Sequence, residues 1–497
     1  MNMLQDHHIL ILGLGDSGLA MVRWCVLQGA RVTVVDNREH APGLLALQEE
    51  GLSVNVKTQA FTEDLLDDQS VRAVFKSPGL TPAQVAPVWV AAQARGLWVG
   101  TELSLFAHAL RQLKETQSYQ PSVLAITGTN GKTTVTRLTG LLVARAGHQV
   151  AVAGNIGPTL LDTLRAQLSD LPAVWVLELS SFQLDGVDDF EPTAACLLNL
   201  TQDHLDWHDD MAAYGQAKAR VWGSQAVGVL PRNDDAVMRL WPKDSTEKKA
   251  PTRPRICFGA DLPQAPGDFG LSVVNGMTWL VRAAPSEEPL GKRGKVVEEE
   301  LQIQRLMPAD ALRIRGQHNA LNALAALALA STCCHSLAPL LHGLRDYTGE
   351  PHRLSSVAIV NDIEFVDDSK GTNVGATVAA INSLGADRKL IVILGGEGKG
   401  QDFSPLTEPV AAHVRAMVLM GKDAELLAQA LAITGVPQHR AADMAHAVAM
   451  ATDAAQTGDV VLLSPACASL DMYSNYVARA QAFVDAVQAH SLMEGIA

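Results

Sequence analysis

The residues best equipped for chemistry sit in one short turn, Thr127-Gly128-Thr129-Asn130-Gly131-Lys132-Thr133-Thr134. It follows the apolar run 123–126 and leads into a helical pattern. Glycines between a strand and a helix let backbone N–H groups approach phosphate oxygens. Lys132 adds positive charge, and the Thr133 hydroxyl suits a magnesium ion. The spacing is tighter than the common phosphate-binding loop, which would place glycine where Ile126 stands. An ordinary strand-to-helix turn with a solvated lysine is the alternative. The register of strand, glycines, lysine and hydroxyls favours phosphate.

Two further groups stand at comparable places. Glu178 closes the apolar run 174–177, and His204 lies just past the run 195–200. Ligands of open α/β sheets bind beyond the carboxyl ends of strands, so both side chains should converge with Lys132. There a glutamate and a histidine would hold magnesium beside a triphosphate. Taken singly, each is as readily a helix cap or a solvated group.

A second glycine-rich turn, Gly13-Leu14-Gly15-Asp16-Ser17-Gly18, has Asp36 eighteen residues past its last glycine. Three readings stay open: a nicotinamide cofactor site, glycines that only allow close packing, or another nucleotide diphosphate such as UDP. Four polar clusters mark later strand ends: Asp367-Asp368-Ser369-Lys370, Gly395-Gly396-Glu397-Gly398-Lys399, Gly421-Lys422-Asp423 and Ser464-Pro465-Ala466-Cys467-Ala468-Ser469. Lys370 and Lys399 are expected on neighbouring strand ends, anchoring an anionic substrate. Cys467 has no histidine partner placed for it and reads as a packed small residue.

The elements that must position these groups form three blocks. Strands at 9–12, 31–35 and 71–76, with a helix through Gln28, make the first. The pattern restarts after the polar stretch 114–121, with strands at 123–126, 174–177 and 195–200. It restarts again after Thr348-Gly349-Glu350-Pro351-His352-Arg353, with strands at 357–360, 390–394, 416–420 and 460–463. Apolar runs alternating with helical patterns imply parallel sheets covered on both faces. The expected architecture is α/β in three consecutive domains, 1–111, 112–349 and 350–497. The charged, proline-containing stretches 243–254 and 285–300 read as surface loops without chemistry.

Bulk composition agrees with this. At 497 residues the chain exceeds one ordinary core, and 47% hydrophobic with 19% charged residues suits a globular protein. A net charge of -14 argues against nucleic acid as the partner. Six cysteines without C-x-x-C spacing argue against zinc and disulfide frameworks and for a reducing compartment. No apolar run is long enough to cross a membrane, and the opening residues lack a signal-peptide pattern. A cytoplasmic protein without membrane insertion is expected.

Nine segments together resemble the Mur ligase superfamily: AITGTNGKTT (125–134), GNIG (154–157), LELSSFQL (177–184), LNLTQDHLD (198–206), GQHN (316–319), PHR (351–353), DDSKGTN (367–373), LGGEGK (394–399) and LLSPACASLD (462–471). The last two resemble the members that add D-glutamate. The resemblance implies Rossmann-like first and third domains around a central P-loop-type ATPase domain. It implies an ATP-dependent ligase of peptidoglycan synthesis that joins D-glutamate to UDP-N-acetylmuramoyl-L-alanine through an acyl phosphate, with two magnesium ions, acting as a monomer. It implies that Gly128, Thr129, Asn130, Gly131, Lys132, Thr133, Thr134, His318, Asn319, Arg353 and Asp368 bind ATP. Thr133, Glu178 and His204 would hold magnesium, joined by Lys218, which matches a lysine the family carbamylates. Lys132, Lys218, His204 and Glu178 would form the catalytic set. Gly15, Asp16, Ser17, Asp36, Asn37, Arg38, Ser77, Asn155 and His204 would bind the uridine substrate. Lys370, Thr372, Lys399, Ser469 and Tyr476 would hold D-glutamate. Tyr476 stands where the family has phenylalanine, Glu397 where it has aspartate, and Asn37 where it has threonine.

Overall fold

A computed structural model describes residues 4–242, 252–284 and 301–493. The stretch 285–300, and 243–251 of the other anticipated loop, lie outside the described residues. The rest forms three sheets in chain order.

The first sheet has five parallel strands in the order Asn55–Thr58, Arg31–Asp36, His8–Leu12, Val71–Lys76, Trp98–Gly100. Its outermost strands escape a reading based on apolar runs. Asn55–Thr58 is exposed throughout, and Trp98–Gly100 is only three residues long. Alternate side chains enter different cores: Ile9 and Ile11 on one face, Leu10 and Leu12 on the other. Burial on both faces is what turns these strands into continuous apolar runs. Residue 111 falls within the helix Glu102–Gln117, whose buried Phe106 meets Trp175 edge-on across the joint.

The central sheet has nine strands. Val150–Gly154, Val174–Glu178, Ser122–Thr127, Ala194–Leu197, Val227–Pro231, Arg255–Phe258 and Phe269–Val274 are parallel. Met277–Ala284 and Gln302–Pro308 then pair antiparallel at its edge. The hairpin between Val274 and Met277 turns on Asn275 and Gly276, with φ of 52° and 78°. Asn-Gly is the usual composition for a two-residue hairpin whose two central residues need positive φ. The run expected at 195–200 ends as strand at Leu197, so His204 stands on a loop seven residues beyond.

The third sheet runs Ser355–Val360, Ile363–Asp367, Val460–Leu463, Leu390–Gly395, Val414–Met420, Gln438–Arg440. Its first strand is antiparallel to the second, so the sheet is mixed and not purely parallel. Lys370 and Lys399 therefore follow strands that are not neighbours, because Val460–Leu463 lies between them. This arrangement places all four polar clusters at the carboxyl edge of one sheet.

Candidate active site

The turn after strand Ser122–Thr127 opens the helix Lys132–Arg145 from Gly131, whose φ is 82°. A Cβ at Gly131 would come within 2.6 Å of Asn322 Oδ1, a side-chain end that can shift, so it is the conformation that calls for glycine. Lys132 folds back over the turn, its Nζ donating to the carbonyls of Gly128 at 2.8 Å and Thr129 at 2.9 Å. Burial lowers its pKa, while the charges of Glu178 and Asp203 work the other way. Lys218, on helix Met211–Ala219, donates to the same Gly128 carbonyl at 2.8 Å and lies over the Tyr214 ring. It is only 1% exposed, and burial followed by repulsion from Lys132 drives its pKa well below the ordinary lysine value. Two amines on one carbonyl mark a place built to receive negative charge.

Glu178 ends its strand beneath this turn and is 2% exposed. Asn155 donates to Oε1 at 2.9 Å, whereas Oε2 is buried without a partner. A buried carboxylate oxygen left unpaired is costly unless a cation or donor meets it. His204 has φ of 55°, a backbone conformation uncommon outside glycine. Asp203 holds its backbone N–H at 2.9 Å, and Phe182 packs against its ring. Burial lowers the His204 pKa, with Lys132, Lys218 and Lys399 among the charges acting in the same direction.

Among the described residues, no three His, Cys, Asp or Glu side chains gather closely enough to hold a metal by themselves. The donor set nevertheless fits magnesium bound to a nucleotide. That ion commonly takes one or two protein carboxylates and completes its shell with phosphate oxygens and water. The unpaired Glu178 oxygen, within reach of the charges of Lys132 and Lys218, matches this demand.

A cavity of about 320 Å³ opens between the central and third domains, bordered by Asn233, Phe258, His318, Asn319, Arg353 and Asp368. His318 and Asn319 come from the first turn of helix Gln317–Ala330, and burial brings the imidazole down to about 4. His318 therefore stays neutral near pH 7 and can hydrogen-bond a base without adding charge. Arg353 is flanked by His352 and Leu354, with φ of 63° and 49°, and its Nη2 donates to Thr133 Oγ1 at 3.2 Å. Asp368 is pushed up to about 7 by burial, and accepts a hydrogen bond from Ser464 Oγ at 2.7 Å.

The first domain's turn is organised differently. Both oxygens of the buried Asp36 are engaged: Leu14 N–H and Arg38 Nη2 donate to Oδ2 at 2.8 Å each, and Arg38 N–H and Nε donate to Oδ1 at 2.9 Å. Burial pushes its pKa up, but these bonds outweigh burial and hold it at about 2. Ser77 Oγ donates to the Gly13 carbonyl at 3.0 Å. A Cβ at Gly18 would lie 2.0 Å from that same carbonyl, whereas one at Gly15 meets nothing within 4 Å. Gly18 thus serves close packing, and Gly15 leaves an open approach flanked by Asp16 and Ser17. Asn37 and Arg38 are exposed beside it.

The third-domain set gathers loosely. Lys370 lies over the Tyr476 ring, with its Nζ 5.0 Å from the centroid, and its charge bears on Lys132. Lys399 is exposed, with φ of 53°. Ser469 is 4% exposed and caps a turn into Met472 and Tyr473, and Thr372 N–H donates to the Lys370 carbonyl. Cys467 is fully buried and pushed up to about 12 by burial, which suits packing and not nucleophilic attack. Residues not singled out beforehand also meet the turn. Asn199 Oδ1 accepts from Asn130 N–H at 2.8 Å, Asn322 approaches Gly131, and Asn373 pairs with Asn130. Each lies within or beside a quoted motif, which was the available signal.

Family comparison covers most of the chain. Residues 7–100 match the Mur ligase MurD-like N-terminal domain, 126–330 the Mur ligase middle domain, and 352–467 the Mur ligase glutamate ligase domain. The UDP-N-acetylmuramoylalanine--D-glutamate ligase of Albidiferax ferrireducens is 60% identical over 98% of this chain and 97% of its own length. That of Polaromonas sp. is 52% identical with both chains fully covered. Among solved structures, MurF ligase from Thermotoga maritima in complex with ADP is similar with a TM-score of 0.56 at 15% identity, covering 98% of this chain and 96% of that one. The MurC ligase of the same organism has a TM-score of 0.55 at 18% identity, covering 97% and 99%. These two likenesses speak to fold.

Proposed function

The chain belongs to the Mur ligase family, and from that premise we propose that it joins D-glutamate to UDP-N-acetylmuramoyl-L-alanine at the expense of ATP. The observation that carries the chemistry is the meeting of Lys132 and Lys218 on the Gly128 carbonyl, near the unpaired Glu178 oxygen, in a turn whose Asn130, Gly131 and Thr134 line the cavity.

In this reading the turn 128–134 wraps the phosphates with backbone N–H groups while Lys132 leaves its carbonyl partners for the triphosphate. His318 and Asn319 face the base, and Arg353 and Asp368 reach the nucleotide from the third domain. Gly15, Asp16, Ser17, Asn37, Arg38 and Ser77 receive the uridine diphosphate end, with Asp36 shaping that loop. Asn155 and His204 guide the acyl end towards the phosphates.

The free carboxylate then attacks the γ-phosphorus, forming a C–O–P linkage as ADP leaves. The D-glutamate amine attacks the activated carbonyl, a C–N bond forms, the C–O bond to phosphorus breaks, and phosphate departs with the amine proton lost to base. Lys132 offsets repulsion between carboxylate and triphosphate and stabilises charge in the transition state. Lys370, Thr372, Lys399, Ser469 and the Tyr476 ring hold the amino acid, whose two carboxylates call for two amines. Magnesium, held by Thr133, Glu178, His204 and a carbamate on Lys218, would supply Lewis-acid charge neutralisation. The depressed pKa of Lys218 supports that modification, because the neutral amine is the form that adds to carbon dioxide.

Among the described residues no helix is long and apolar enough to cross a membrane. The reading places the enzyme in the cytoplasm, as a monomer. Phosphate release from ATP with the uridine substrate tests it. D-glutamate should support release, while L-glutamate, L-lysine and glycine should not. Release with another amino acid alone would overturn the assignment.

A further inference from the structure

A polar contact with no role in the proposed chemistry crosses from the phosphate turn to the third domain. Asn130 Nδ2 donates to Asn373 Oδ1 at 3.1 Å, and Asn373 Nδ2 donates back to Asn130 Oδ1 at 3.1 Å. The same Asn373 Nδ2 donates to Asp203 Oδ2 at 3.1 Å, next to His204. Asn373 is 4% exposed, and its Oδ1 also caps the helix Val374–Gly385 by accepting from Ala376 N–H at 2.9 Å. One side chain thus engages the turn, the loop that carries His204, and its own helix. A methyl group at Gly375, two residues on, would sit 2.9 Å from Thr201 Oγ1, so the helix start is pressed against that loop.

We infer that Asn373 is a positioning residue that ties closure of the third domain to the phosphate turn. It does not touch the reacting atoms. Its place in the chain gives it leverage: Lys370 and Thr372 precede it directly, and Asn130 lies two residues before Lys132. Locking the two asparagines together fixes the amino-acid loop against the γ-phosphate end of the turn. A reciprocal amide pair also discriminates register, because a shift of either partner breaks both bonds at once. Asp203 adds a charged acceptor, the stronger kind of hydrogen bond. The inference rests on the proposed ligase reading for its kinetic consequence, though not for the closure itself.

Asn373→Ser keeps a capping oxygen, because serine and asparagine are comparable N-caps, and removes the amide. Asn373→Asp keeps the cap but sets a carboxylate against Asp203. Adding Asp203→Asn to Asn373→Asp restores a donor and acceptor with the polarity reversed. With Asn373→Ser, melting temperature and ADP affinity should match the parent, compaction in small-angle scattering on adding ADP and the uridine substrate should be lost, and kcat/KM for D-glutamate should fall about ten- to hundredfold. Asn373→Asp should be worse, and the double variant should recover at least about tenfold over it. An Asn373→Ser enzyme with parental kcat/KM and parental compaction would overturn the inference. So would a loss matched by an equal fall in ADP affinity, or a double variant no better than Asn373→Asp. A parent enzyme inactive with D-glutamate would sink the ligase reading instead, and scattering alone would then decide whether Asn373 governs closure.

Discussion

The two glycine-rich turns, 13–18 and 128–133, look alike as text and differ in where their charges point. In the first, a buried aspartate turns inward: Asp36 holds Leu14 and Arg38, and Asp16 is the turn's one exposed side chain. In the second, two amines lean on the Gly128 carbonyl, above a glutamate with one unpaired oxygen. Both oxygens of Asp36 are satisfied before any ligand arrives, and one oxygen of Glu178 is not. A glycine pattern therefore says where a phosphate can approach, and the surrounding charges say whether chemistry follows. The nicotinamide reading gives way to the family match of residues 7–100 with the Mur ligase MurD-like N-terminal domain.

The contrast can be broken or sharpened by substitution. The largest effect belongs to Lys132→Met, which should cut kcat/KM by about 10²–10³ in a phosphate-release assay with little change in melting temperature, because a single stabilising charge is lost. Gly18→Ala should instead strike the fold. Its methyl group would sit 2.0 Å from the Gly13 carbonyl oxygen, and forcing that contact should cost about 1–3 kcal/mol in urea unfolding.

Acid titration separates the turns next. Asp36 is depressed from 3.8 to about 2, so its contribution of about 2 kcal/mol is present above pH 4 and lost as pH falls towards 2. Asp368 is raised from 3.8 to about 7, so it binds its proton more tightly in the folded state and costs stability as pH rises from 4 to 7. Urea midpoints against pH should lose their acid limb in Asp36→Asn and their slope between pH 4 and 7 in Asp368→Asn. The smallest effect is expected from Gly15→Ala, where a methyl group meets open space: stability within about 0.5 kcal/mol of the parent and a change confined to KM for the uridine substrate.

Much of this was legible in the residues. Strands buried on both faces announce themselves as apolar runs, and Lys132, Glu178 and His204 follow such runs. Two strands are harder to read: the edge strand Asn55–Thr58 is exposed and lacks a run, and the inner strand Ile363–Asp367 is interrupted by Glu364. Without that strand, and with the crossover of Val460–Leu463 between its neighbours invisible in the residues, Lys370 and Lys399 read as ends of adjacent strands. The Asn275-Gly276 hairpin is readable by its turn chemistry. Lys218 illustrates a different limit: on a helix it looks like any solvated lysine, and only tertiary packing reveals it as 1% exposed. Asn373 likewise gains its meaning from a partner 243 residues away.

The central claim is activation of a carboxylate by transfer of a phosphoryl group. The most direct measurement follows oxygen: the uridine substrate is prepared with its terminal carboxylate labelled with ¹⁸O, and a single ligation turnover is run in unlabelled water. The account predicts that one label moves into the released phosphate while the other stays in the new amide. Phosphate free of label, with amide formed, would contradict it.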